Sequence, residues 1–321
     1  MDDIWKHFLL HFPNVLHLLP QHQKVVNILN TKSEELPNIL LYSHNGFPLE
    51  IIYDTAFKQT YGDYKKTKII WDKEVIYYET PYYFEIDLAL PQQPKDLVQL
   101  TELIKHIANN PCIHAKRHIF AMRNIDLIVT NNKFYDFRVL LERYSKNILF
   151  ICTTYNISKL EMPIRSRFQA IRLPLLQVSE LIMIFGRMEL SFHEYLEKYD
   201  CRDVYFALYV HYLSKHMPDI ITEEFCSYKN PIIYNFLAKN KTPPSLEDIR
   251  EITHKISIDD ASIIDITMDL AKIIKPTDIP LLIKYAASID HALSTTEGYR
   301  KPLYVEKLFN VAIYQLGLKK K

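Results

Sequence analysis

The chain has 321 residues, 48% of them hydrophobic and 12% aromatic, with 39 Lys plus Arg against 38 Asp plus Glu. That balance, a formal charge of +1, excludes a largely disordered chain and a polyanion binder that works through its whole surface; only a local basic face is left open. Five glycines accompany 17 prolines, where average usage would give roughly 20 glycines, so a glycine-rich phosphate loop starts at a disadvantage.

Taken in chain order, Asn38 to Ser43 reads as a buried strand, closed by the turn signals of His44-Asn45-Gly46-Phe47-Pro48. Ile69 to Trp71, Val75 to Tyr78 and Tyr83 to Leu88 read as strands separated by turns at Asp72-Lys73 and Pro81. Leu100, Leu103, Ile104 and Ile107 recur at helical spacing in 97–108, and Phe137, Leu140, Leu141 and Tyr144 do so in 134–144. Between and after them stand dense apolar runs at 118–122, 148–152 and 170–173. Short dense strands alternating with helices predict a parallel sheet covered on both faces. After Pro174 the pattern turns helical, with short helices at 181–188, 192–199 and 204–213. Longer ones follow at 245–254, 259–274, 280–293 and 304–316.

Cys112, Cys152, Cys201 and Cys226 are widely spaced, the usage of a reducing compartment. The first residues carry acid where a secretory signal carries base, and no apolar run approaches the ~20 residues that span a bilayer. An intracellular protein without a membrane partner is expected. Cys112, His114 and His118 fit no common zinc spacing, and no metal site is expected. The Tyr77-Tyr78 and Tyr82-Tyr83 pairs read as alternating faces of a hairpin rather than as a base-stacking platform.

Pro163-Ile164-Arg165-Ser166-Arg167-Phe168 resembles the Ser-Arg-Cys motif region of AAA+ clamp-loader small subunits. Upstream, residues Phe137 to Asn147 are similar to that family's Leu-Arg-Arg-x-Met-Glu-x-Tyr-Ser helix. The hairpin of Thr67 to Leu88 resembles the extra hairpin of the replication factor C small subunit that sits at the end of the ring and need not hydrolyse ATP. His11-Phe12-Pro13 stands where the family opens with Tyr-Arg-Pro.

The departures are concentrated in one place. A phosphate loop needs freed backbone N–H groups, a lysine for the β- and γ-phosphates and a hydroxyl for Mg²⁺. In the matching register, 43–50, only Gly46 is kept: Pro48 removes an N–H, Leu49 replaces the lysine, and Glu50 puts a negative charge where the hydroxyl belongs. The acidic pair expected after the next core strand is replaced by Arg123-Asn124-Ile125-Asp126, with Asp126 matching one of the acids. The sensor asparagine position falls on Tyr155, and Arg202 lies in a segment similar to the family's second sensor.

The resemblance implies a degenerate AAA+ P-loop-type parallel sheet domain at 1–174, a helical lid at 175–218 and a helical collar, an oligomerisation domain, at 219–321. It implies a subunit that does not hydrolyse ATP and places Arg167, supported by Arg138, into a neighbour's site. No cofactor is expected in cis; ATP and Mg²⁺ belong to the interface with a partner. The implied partners of this hetero-oligomer are other clamp-loader subunits, a sliding clamp and primer–template DNA, in a nucleus or at a viral replication site. Two other readings stand beside it: an AAA+-derived scaffold of a nucleic-acid complex with no part in hydrolysis, and a subunit that binds nucleotide without turning it over.

Overall fold

The dense apolar runs of the first half become strands. The computed structural model describes residues 2–31, 36–72, 74–93, 97–113, 115–127, 134–198, 200–221, 245–258, 263–295 and 300–315. Among them are β1 (Ile39–Tyr42), β2 (Thr67–Trp71), β3 (Val75–Glu79), β4 (Tyr83–Asp87), β5 (His118–Arg123), β6 (Ile148–Thr154) and β7 (Gln169–Arg172). They form one sheet in the order β2-β3-β4-β5-β6-β1-β7. From β4 to β7 every pairing is parallel, while β2, β3 and β4 pair antiparallel. All seven residues of β6 are buried, a pattern that only a strand covered on both faces sustains. The parallel α/β sheet read from the sequence is the one observed.

Side-chain alternation sorts the two faces. Leu40, Phe120, Met122, Phe150 and Cys152 pack with Leu100, Leu103, Ile104 and Ile107 of α4 (Leu97–Asn109) and with Phe137, Leu140 and Leu141 of α5 (Phe134–Tyr144). Ile39 and Leu41 are also fully buried and point to the opposite face. Three helices precede α4: α1 (Asp2–Val15), α2 (Pro20–Leu29) and α3 (Glu50–Tyr61), and both α1 and α2 pack on α3. Their buried side chains include Phe8, Phe12, Val26, Ile52 and Ala56. None of these three helices is foreseen by the strand-and-stripe reading, which assigns no element before residue 38 and none between 49 and 66.

After β6 comes the single turn α6 (Met162–Arg165), and after β7 come α7 (Val178–Arg187), α8 (Glu194–Lys198) and α9 (Val204–His216). The helix read at 192–199 is shorter, at Glu194–Lys198. Two compact units emerge: residues 1–193 with 202–212, and residues 194–201 with 213–321. Thus α7 and most of α9 belong to the unit that holds the sheet. The second unit contains α10 (Leu246–Ile258), α11 (Ile263–Ile273), α12 (Ile279–Thr295) and α13 (Lys301–Asn310). Its core joins Ile249, Ile266, Leu270, Leu282, Ile289, Val305, Leu308 and Phe309. The start of this all-helical region, together with His114 and Cys226, lies outside the described residues.

Candidate functional site

The loop after β1 runs into α3, and its backbone is closed from both sides. Gly46 has φ +117°, a conformation that side chains rarely adopt. A Cβ there would also meet Asp203 Cγ and Oδ2 at 3.1 Å. The neighbouring Val204 N–H donates to the Gly46 carbonyl at 2.7 Å. Phe47 is fully buried, with its ring 4.8 Å from His22 and 6.2 Å from Phe12. His22 Nε2 lies 3.2 Å from the Pro174 carbonyl, and burial lowers its pKa, favouring the neutral ring. Tyr155 donates its hydroxyl to the Phe47 carbonyl at 3.0 Å. Tyr155 therefore ties the loop down.

Leu49 is fully buried at the N-cap of α3. Glu50 follows, in the first turn, where the helix dipole favours an anion. Its carboxylate accepts from Arg123 Nη2 at 2.8 Å. The same guanidinium lies 3.6 Å from Asp87 and 3.7 Å from Glu85. Burial raises the Glu50 pKa against the pull of Arg123. Burial also works against the Arg123 charge, but Glu50, Asp87 and Glu85 outweigh it and the pKa moves up. The half-buried Arg123 cation offsets the largely desolvated Glu50 and Asp87 carboxylates, and shares Glu85 with Lys66.

The network continues through Glu85. Lys66 Nζ reaches Glu85 at 2.8 Å and Asp54 at 3.0 Å, and Lys58 pairs with Asp54 at 2.9 Å. Tyr83 donates to Asp54 at 2.9 Å and Tyr64 at 3.1 Å. Asn124, at φ +58°, donates from Nδ2 to Asp87 at 2.8 Å. Asp126 is buried and accepts from the Thr154 hydroxyl at 2.7 Å. Arg202 is half-buried, one residue before Asp203. Gly46, Leu49, Glu50, Arg123 and Asn124 are thus held around the β1–α3 junction and the ends of β4 and β5.

Arg167 and Arg138 form a separate cluster on the surface. Arg167 lies just beyond α6 and donates from Nε to Glu142 at 2.7 Å, with Nη2 on the same oxygen. Arg138, one turn before Glu142 on α5, reaches that oxygen through Nε at 3.3 Å. Sequence reasoning supplied both arginines and missed the carboxylate between them. The Arg138–Glu142 spacing of four was a legible signal; the Glu142–Arg167 separation of 25 residues was not. It likewise missed Asp203 against Gly46, and the Asp54–Lys66–Glu85 bridge, which joins α3 to β4 across separate segments.

A mostly parallel seven-stranded sheet with helices packed against it, whose strand β1 leads through residues 43–49 into α3, defines an α/β protein. No protein-family profile matches the chain. It is 26% identical over 195 residues to replication factor C subunit 5 of Saccharomyces cerevisiae, an alignment covering 54% of this chain and 55% of the yeast protein. The chain thus spans about half the length of that curated relative. Among solved structures, a DNA polymerase III gamma subunit-related protein of Thermotoga maritima aligns over 91% of this chain and 98% of its own, at 11% identity and TM-score 0.42. Two variants of Thermotoga maritima RuvB align at 14% identity and TM-scores of 0.44 and 0.45. They cover 76% and 93% of this chain, and 75% and 86% of their own.

Proposed function

We propose that this chain is a non-hydrolysing subunit of a sliding-clamp loader in DNA replication, lending Arg167 in trans to a neighbouring ATPase subunit. One observation carries the first half of that reading: the Glu50–Arg123 pair at the head of α3. A magnesium-bound triphosphate at that junction needs a lysine, a hydroxyl and a row of free N–H groups. Here it would meet the Glu50 carboxylate, the buried Leu49 side chain and Pro48, while an arginine stands where a metal-binding acid is needed. These residues do not fit the nucleotide. ATP and Mg²⁺ belong to the partner's site, where a guanidinium from outside offsets charge on the transferred phosphoryl group. Arg167 and Arg138, together on an exposed surface, are the groups offered for that role, and the local similarity to replication factor C subunit 5 supports the setting. Other loader subunits, a sliding clamp and primer–template DNA are the proposed partners.

A specific observation favours a second reading. Arg167 is engaged by Glu142 of its own chain, as suits an AAA+-derived scaffold that touches no ATP site. Turnover separates the two. In a reconstituted complex whose only competent ATP site borders this chain, Arg167→Ala lowers the ATPase rate by about 10³-fold on the first reading. Unchanged turnover, with assembly intact, selects the scaffold.

A further inference from the structure

This inference rests on the reading that Arg167 acts on a neighbour's nucleotide, and concerns what that arginine does before one arrives. Its guanidinium is already engaged: Nε and Nη2 donate to Glu142 Oε1, while Nη1 donates to the Pro163 carbonyl at 2.6 Å and to Ser166 Oγ at 2.8 Å. Arginine has five N–H donors, so these four bonds leave it one. Arg138 reaches the same Glu142 oxygen from the side. A single anionic oxygen therefore sits in the fork of one guanidinium and within reach of a second, the position that any bound oxyanion would take. We propose that Glu142 is a placeholder anion, which holds Arg167 and Arg138 together in the free chain and is displaced by the terminal phosphate oxygens of a nucleoside triphosphate presented by a neighbouring subunit.

The geometry suits exchange. The Glu142 side chain is 46% exposed and that of Arg167 27%, and ion pairs this close to water contribute little to stability. The hydrogen bonds from Arg167 and Arg138 hold the Glu142 carboxyl below the usual carboxylate range, so it is an anion at neutral pH. A triphosphate brings more charge and more acceptor oxygens than one carboxylate, and so gains where Glu142 nearly breaks even. The Pro163 and Ser166 bonds go to neutral acceptors outside the exchange. They keep the guanidinium aimed when the carboxylate leaves.

The test uses the full chain and sodium tripolyphosphate, titrated by calorimetry at low salt into three proteins: wild type, Glu142→Gln, and Glu142→Gln combined with Arg167→Ala. The expected result is about three- to fivefold tighter binding by Glu142→Gln than by wild type, the scale of one exposed ion pair. Adding Arg167→Ala removes that gain. Equal binding by wild type and Glu142→Gln overturns the proposal. So does a gain that survives the loss of Arg167: that variant has the wild-type net charge, so the added binding would not use this guanidinium. No partner takes part, so this outcome is read independently of whether an assembled complex needs Arg167 for turnover.

Discussion

Two of the Glu–Arg pairs among the described residues share a chemistry and differ in their surroundings. Glu50 and Arg123 meet at the head of α3 with side chains 15% and 27% exposed, beside Asp87 and Glu85. Glu142 and Arg167 meet on the surface, next to Arg138. Burial decides what each pair does. The two guanidiniums are equally exposed, at 27%, but the Glu50 carboxylate is 15% exposed against 46% for Glu142, so losing its partner costs the first pair more. In the second, water and ions compete throughout, so the pair is exchangeable. The buried pair is a fixture and the exposed pair a contact held in reserve.

The largest expected effect breaks the buried pair. Arg123→Met leaves Glu50 and Asp87 without a cation and Glu85 with Lys66 alone, and a loss of about 2–4 kcal/mol in urea unfolding is expected. Adding Glu50→Gln recovers part of that loss by removing one of the three charges. A loss no larger than that of a surface pair would erase the distinction between the two sites.

Next comes the loop that closes the junction. Gly46→Ala combines a positive φ with a Cβ driven against Asp203, and is expected to cost about 2–4 kcal/mol. Gly62, at φ +82° with nothing within 4 Å of its Cβ position, supplies the control. Gly62→Ala should cost about 1–3 kcal/mol, the backbone strain alone. Thermal or urea unfolding of the two variants side by side measures how much of the Gly46 effect is contact with Asp203.

A smaller effect sharpens the comparison through pH. Burial works to raise the Asp54 pKa, but Lys66 and Lys58 outweigh it and hold the group below the ordinary aspartate value. A depressed pKa contributes stability that is complete above the ordinary value and is lost as pH falls through the folded one. Asp54→Asn should therefore flatten the acid limb of the stability–pH curve. A curve parallel to that of wild type would remove Asp54 from the network.

Much of the sheet was legible because buried parallel strands are written as dense apolar runs. β1, β5 and β6 lie within two residues of the segments read for them. α4 and α5 were legible for a different reason, a clean stripe of apolar residues. α3 carried no such stripe: Ile51, Ile52, Tyr53, Thr55, Ala56 and Phe57 are all buried, so the helix is covered nearly all round and its period is masked. α2 did carry a start signal, Pro20 at its first position, followed by the polar run Gln21-His22-Gln23-Lys24 that hides its apolar face. At the site, family register brought out Leu49, Glu50 and Arg123 as residues out of keeping with a phosphate loop, and Gly46 as the one position kept. What their charges do instead depends on β4 lying beside β5, and no spacing in the sequence encodes that adjacency.

The central claim is that the β1–α3 junction is filled by the chain's own side chains and charges. The most direct measurement is equilibrium binding of labelled ATP with Mg²⁺ to the purified chain at neutral pH. The account predicts no saturable binding; a saturable curve, abolished by excess unlabelled ATP, would contradict it.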